Sequence, residues 1–259
     1  MNIIKLDAID STNDYLKELS RSKIVDNFTI VTTDNQTKGK GQMGSVWKSE
    51  IGKNLTMSIL IKDVLLNVNQ IFDLNIAISL SAIEVLQEYS IPKLTIKWPN
   101  DIMSENKKIG GILIENSFKT DNKIESIVGI GLNVNQNHFL DLPKASSLRL
   151  ISSLEYDLVE LISKIYLQIK LNCEILIANK IDLLWEKYHQ NLFKKGVPMP
   201  FEAENGTKFM GIIQGVTKEG KLEILLEDDS LKTFGIKEIG ILYWFIFDKR
   251  ILTSKFVIP

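Results

Sequence analysis

The sequence predicts an α+β protein, a mixed and mainly antiparallel sheet with helices, followed by a small all-β module. Three observations carry this expectation. Strand-length apolar runs stand beside segments whose apolar residues recur at helical spacing. Beyond about residue 195 only short strands remain, separated by turn signals. The 259 residues, 44% of them hydrophobic, suffice for one large domain plus a small one.

The first element is a helix capped by Ser11, with Tyr15, Leu16 and Leu19 on one face. Residues 28–33 and 54–61 read as strands, with a loop rich in glycine and lysine between them over 34–53. Ile71, Leu74, Ile78, Ala82 and Leu86 recur at helical spacing up to the break at Pro92. Residues 95–98 form a short strand, stopped by Pro99, which biases Trp98 to an extended backbone. A four-residue turn at 104–107 then pairs Met103 with Lys108 and Asp101 with Gly110, which puts Asp101 and Lys108 on one face. Strands follow at 109–115 and 124–134, then a long helical pattern from 154 to about 192 with an interruption near Ile181 and Asp182. Residues 210–216, 221–226 and 232–234 are the strands of the small module, separated by Glu219-Gly220 and Asp228-Asp229. The domains expected are 1–194 and 195–259, the second ending in an apolar stretch from Trp244 to Pro259 that has no evident place.

Composition removes several functions. A net charge of −1, from 31 basic and 32 acidic side chains, argues against a dedicated nucleic-acid binder. Cys173 has no partner for a disulfide and reads as a small core residue. His138 and His189 are too few for a zinc cluster. The first ten residues lack the regions of a signal peptide, and no apolar stretch approaches the roughly 20 residues of a membrane span. A cytoplasmic protein is expected.

Three constellations carry chemistry. Gly39-Lys40-Gly41-Gln42-Met43-Gly44-Ser45-Val46 matches the letter of kinase and dinucleotide glycine loops. It lacks their context, because no His-Arg-Asp or Asp-Phe-Gly follows and the next periodic segment is a strand. A bare surface loop is the plain reading. Against it, Lys38, Lys40, Lys48 and Lys53 give residues 34–53 a net +2 with Asp34 and Glu50, and bare amides with ammonium groups suit an anion. Lys97-Trp98-Pro99-Asn100-Asp101 with Lys108-Ile109-Gly110-Gly111 reads either as a surface ion pair or as a site where paired glycines admit a ligand. In Gly129-Ile130-Gly131-Leu132-Asn133-Val134-Asn135, strict alternation puts glycines and amides on one face and apolar side chains on the other, which fits a ligand-lined face. Ser11, Thr12 and Asn13 either cap a helix or join such a site.

In this order the stretches resemble the biotin protein ligases (biotin–acetyl-CoA-carboxylase ligases). Ser11-Thr12-Asn13 is similar to the opening S-T-N of that family, and Gln36 to Trp47 to its Q-T-x-G-R-G-R-x-G-R-x-W loop. Lys97 to Asp101 is its K-W-P-N-D signature unchanged, Lys108 to Glu115 its K-x-G-G-I-L-x-E strand, and Gly129 to Asn133 its G-x-G-x-N. The resemblance implies a sheet like the class II aminoacyl-tRNA synthetase core and an SH3-like C-terminal β-barrel. It implies that ATP activates biotin as biotinyl-5′-AMP, with Mg²⁺ held mainly by phosphates, and that a lysine of a biotin carboxyl carrier protein takes the acyl group.

The resemblance places the ring of biotin at Ser11, Thr12, Asn13, Gln36 and Gly111, with Gly39, Lys40, Gly41, Gln42, Lys108 and Gly110 completing the biotin site. Trp47, Lys97, Asn100, Lys108 and Asn133 belong to the nucleotide. Lys108, Asp101 and Lys40 are the expected catalytic groups. Lys108 bridges two anions, Lys40 assists, and Asp101 receives the proton of the acceptor amine. Lys40, Gln42 and Ser45 replace arginines of the family loop, which puts tight retention of the adenylate in question. With the motifs starting at Ser11, a DNA-binding domain and a repressor role are not expected. A homodimer through a sheet edge is expected, and neither nucleic acid nor membrane as partner. Two other readings remain: a lipoate–protein ligase on the related fold, and a non-catalytic biotin or adenylate sensor.

Overall fold

The computed structural model describes residues 1–119, 123–140 and 142–243, which fall into two compact units divided at Asn191/Leu192. The expected stretch from Trp244 onward lies outside the described residues.

The first unit is built on a seven-stranded sheet. Its strands are β1 (Ile3–Ile9), β2 (Ile30–Gln36), β3 (Leu55–Lys62), β4 (Leu94–Lys97), β5 (Asp101–Ser104), β6 (Lys107–Phe118) and β7 (Ile124–Leu132). Their spatial order is β1-β2-β3-β7-β6-β5-β4. Only β1 and β2 pair in parallel; every other pair is antiparallel, so the sheet is mixed and mainly antiparallel as expected. No strand was expected at β1. It is an edge strand with no fully buried residue, so it carries little of the apolar signal by which strands are read.

Helix α1 (Thr12–Ser22) packs on β2, β3 and β7, with Leu16, Val25, Val31, Leu60 and Ile127 as the core of that face. Helices α2 (Ile71–Glu88) and α4 (Leu158–Ile177) pack on one another, α2 against β4, β5 and β6 and α4 against β3. Thirteen residues of α2 are buried, so it is enclosed nearly all round. The short α3 (Leu148–Ser152) was not foreseen. α4 begins at Leu158 rather than at 154, because Asp157 accepts from Val159 N and Glu160 N and starts the helix there. The expected interruption falls at 178–180, with Asn179 at φ +55°, before α5 (Ile181–Gln190) resumes. No helix among the described residues is long and apolar enough to cross a membrane.

The β5–β6 register needs one correction. Met103 pairs with Lys108, but a β-bulge at Ile109 shifts the ladder, so Asp101 faces Gly111 instead of Gly110. One row then runs across five strands: Lys97 (β4), Asp101 (β5), Gly111 (β6), Gly131 (β7) and Thr56 (β3). The next row carries Leu113, Gly129 and Ser58.

The second unit is an antiparallel five-stranded sheet of β8 (Pro198–Ala203), β9 (Lys208–Val216), β10 (Leu222–Leu226), β11 (Leu231–Phe234) and β12 (Ile239–Ile241), ordered β11-β10-β9-β8-β12. Phe201, Ile213, Leu222 and Ile224 are its buried core. β8 and β12 went unread in the sequence. β8 carries two prolines and β12 is three residues long, so neither gives a clear period of two.

Candidate active site

Gly111, Gly131 and Thr56 of the first row and Leu113 and Gly129 of the second form the floor of a cavity of about 330 Å³. A side chain is excluded from this floor at two glycines. A Cβ on Gly129 would overlap Asn13 Oδ1, and one on Gly131 would lie 2.5 and 2.6 Å from the Trp47 indole carbons. The indole therefore rests on bare backbone. Its Nε1 is buried against the sheet without a hydrogen-bond partner, an unspent donor.

One wall is the start of α1. Ser11 Oγ accepts from Asp14 N at 3.3 Å, so Ser11 is the helix cap and also lines the cavity; both readings of it hold at once. Thr12 and Asn13 are buried beside it, and Gln36 Oε1 accepts from Thr12 N at 2.8 Å. The opposite wall is charged. Lys108 Nζ lies 2.6 Å from Asp101 Oδ1, and Lys97 Nζ lies 3.2 Å from Oδ2, so one carboxylate sits between two ammonium groups. Lys108 also stands 5.9 Å from the Trp47 ring centroid. Side chains here are 17–36% exposed, drier than the exposed pairs whose contribution is negligible.

The glycine loop closes over the top. Gly41 N donates to Ser45 O, Trp47 N to Gly39 O, and Lys40 pairs across with Val46. Lys40 lines the cavity while its ammonium binds Asp14 at 2.6 Å, and that hydrogen bond holds its pKa above the ordinary lysine value.

Of the residues singled out in the sequence, Ser11, Thr12, Asn13, Gln36, Lys40, Gly41, Gln42, Trp47, Asn100, Asp101, Lys108 and Gly111 line this one cavity. Four do not. Lys97 reaches it through Asp101. Gly39 and Gly110 act by close approach, since a Cβ would meet Trp47 O at the first and Gly131 O, 2.9 Å away, at the second. Asn133 is buried with Nδ2 donating to Ser146 O at 3.0 Å, so its amide is engaged in holding a loop. Thr56, Met57, Ile112, Leu113 and Ile130 also line the cavity and were not singled out. Thr56 is legible only once its pairing with Gly131 is known.

Among the described residues no group of three His, Cys, Asp or Glu could hold a metal ion. Cys173 is buried in α4, and desolvation pushes its thiol up to about 12. The buried thiol therefore stays protonated at pH 8. A disulfide reagent should leave native protein unlabelled at pH 8 and titrate one thiol after unfolding; rapid native labelling would contradict this burial.

Residues 6–135 match the biotin/lipoate A/B protein ligase family. The chain is 33% identical over 246 residues to the bifunctional ligase/repressor BirA of Bacillus subtilis, an alignment covering 92% of this chain and 72% of that protein. It is 24% identical to the biotin–[acetyl-CoA-carboxylase] ligase of Mycobacterium tuberculosis, over 82% of this chain and 79% of that one. Its fold is similar to that of a biotin protein ligase from Aquifex aeolicus solved with biotin and ATP, with a TM-score of 0.77 and 29% identity over 93% of this chain and 98% of that one. On the sequence match, the shared fold and the cavity together, the chain belongs to the biotin/lipoate A/B protein ligase family.

Proposed function

We propose that this chain is an ATP-dependent biotin ligase, activating biotin as biotinyl-5′-AMP and passing it to a lysine of a biotin carboxyl carrier protein. The observation that carries this reading is the single cavity joining an uncharged polar end, Ser11 to Asn13 with Gln36, to a charged end, Lys108 and Asp101. Biotin has that polarity: a neutral ureido ring at one end and a carboxylate at the other. A relative's complex with biotin and ATP adds support.

In the first step a carboxylate oxygen of biotin bonds to the α-phosphorus of ATP, the bond to the bridging oxygen breaks, and pyrophosphate leaves. Two unit charges about 4 Å apart repel by roughly 4 kcal/mol at an effective dielectric near 20. The Lys108 ammonium at the charged wall offsets that repulsion and the charge that builds on phosphorus. Lys40, its ammonium on Asp14, is the second cation of the same cavity, and Trp47 offers its ring to the base of the nucleotide. Mg²⁺ enters with ATP as part of the substrate, because the described residues provide no carboxylate cage and Asp101 is engaged by two lysines.

In the second step the acceptor amine attacks the acyl carbon, the bond to the phosphate oxygen breaks, AMP leaves, and Asp101 takes the proton. The same proposal assigns catalysis to 1–194 and an SH3-like module to 195–259. It includes a first sheet of class II synthetase type, a homodimer through a sheet edge, and no nucleic-acid partner. Incubating the protein with ATP, biotin and a carrier domain, then probing with labelled streptavidin, should give one biotinylated band. Thermal stabilisation by lipoate and not by biotin would instead favour a lipoate ligase, and biotin binding without any transfer would favour a sensor.

Gln42 and Ser45 line the cavity where the family loop has arginines. The wild-type protein is therefore expected to release part of its adenylate. Gln42→Arg should lower the ratio of free adenylate to transferred biotin about tenfold, through one charge-assisted contact to phosphate. An unchanged ratio would show that position 42 does not retain the intermediate.

A further inference from the structure

A hydrogen-bonded chain behind the polar end of the cavity is not used by either step above. Asn13 Nδ2 donates to Glu115 Oε2 at 2.9 Å and reaches Leu113 O at 3.5 Å. A carboxylate can only accept, so it fixes which end of the amide is nitrogen and turns Oδ1 the other way. That oxygen lies 2.5 Å from Ser58 Oγ, and Ser58 is fully buried. An amide oxygen also only accepts, so the single Ser58 proton is committed to Asn13. Ser58 Oγ is 2.7 Å from Thr12 Oγ1 as well, and a hydrogen lies in that contact only if Thr12 donates to Ser58. Gln36 Oε1 takes the backbone N–H of Thr12 at 2.8 Å and is, at 3.1 Å, the longer of the two acceptors within reach of the Thr12 hydroxyl proton, Ser58 Oγ at 2.7 Å being the shorter. The order of donation is thus Thr12 to Ser58 to Asn13 to Glu115.

Two features make room for the chain without setting its sense. Lys17 Nζ lies 3.2 Å from Glu115 Oε1 and leaves Oε2 for Asn13. Gly129 has no Cβ where the Asn13 oxygen lies, so the amide can lie flat on β7. With its proton turned inward, Thr12 presents lone pairs to the cavity it lines. Ser11 is the complement: its oxygen accepts from Asp14 N, and that bond leaves its proton unused.

We propose that Glu115 is a positioning residue that, through Asn13 and Ser58, makes the Thr12 hydroxyl an acceptor, so that this end of the cavity selects a ring bearing N–H donors. The inference rests on the biotin reading and deepens it. A ureido ring offers two N–H groups and a carbonyl, matching an acceptor at Thr12 and a donor at Ser11, whereas a dithiolane ring offers neither.

The test is calorimetric binding of biotin and of desthiobiotin, which keeps the ureido ring and lacks the thiophane, to wild type, Glu115→Gln, Ser58→Ala and Lys17→Met. KM for biotin and for ATP is measured in parallel by pyrophosphate exchange. Glu115→Gln keeps the shape but lets the Asn13 amide turn, and Ser58→Ala removes the relay. Each should weaken both ligands by about the same factor, roughly tenfold, and leave KM for ATP within twofold. Lys17→Met should stay within twofold throughout, because the ion pair is not the part that orders protons. Wild-type affinity in Glu115→Gln and Ser58→Ala overturns the inference, as does parallel loss of biotin and ATP, or a loss in Lys17→Met equal to that in Glu115→Gln. Failure of the wild-type protein itself to bind biotin overturns the functional reading instead.

Discussion

Lys108→Met is expected to lower biotin-dependent pyrophosphate exchange about a thousandfold while leaving the fold intact. The size follows from electrostatics: roughly 4 kcal/mol of repulsion between carboxylate and phosphate becomes uncompensated, and each 1.36 kcal/mol is a factor of ten in rate. The fold survives because Asp101 keeps Lys97 as a partner at 3.2 Å, so no carboxylate is left unpaired in the wall. Lys108→Arg should recover part of the loss, since the charge returns with a longer, planar head. Measurement is by exchange of labelled pyrophosphate into ATP at saturating biotin, with a thermal melt as the folding control. Exchange within tenfold of wild type in Lys108→Met would remove Lys108 from the first step and move the burden to Lys40.

Why Lys108 was legible, and other parts were not, is a matter of range. Period-two alternation is local, so the glycine and amide face of 129–135 could be read directly from its residues. Which strand lies beside that face is not local. Thr56 enters the cavity wall, with Ser58 buried behind it, because β3 pairs on its other side with β7, a strand more than 60 residues away in sequence. The bulge at Ile109 moved Asp101 from Gly110 to Gly111, yet Asp101 and Lys108 still meet, because a bulge shifts pairing by one residue and long side chains absorb the difference. Asn133 shows the opposite failure. It continues the alternating face in sequence, but it lies just past the last residue of β7, where a loop carbonyl takes up its amide. β1 was missed because an edge strand buries too little to pattern its sequence.

Asp101→Asn is expected to slow transfer of biotin from preformed adenylate by about 10²–10⁴, the range typical of a lost general base. Adenylate formation should fall only about tenfold. That smaller loss arises because Asp101 Oδ1 holds Lys108 at 2.6 Å and an amide in its place holds the ammonium less firmly. The two half-reactions are separated by supplying synthetic biotinyl-5′-AMP to one assay and ATP with biotin to the other. A pH profile then identifies the missing group. Deprotonating a lysine of pKa near 10.4 costs about 4.6 kcal/mol at pH 7. With an ionised Asp101 taking that proton in the transition state, the wild-type rate depends on ammonium and carboxylate together and stays flat between pH 7 and 9. Without the carboxylate only the free amine reacts, and its share rises about tenfold per pH unit below its pKa. The variant should therefore climb towards the wild-type rate as the pH is raised. A flat profile in Asp101→Asn, or equal loss in both half-reactions, would show that Asp101 only anchors its two lysines and that another group accepts the proton.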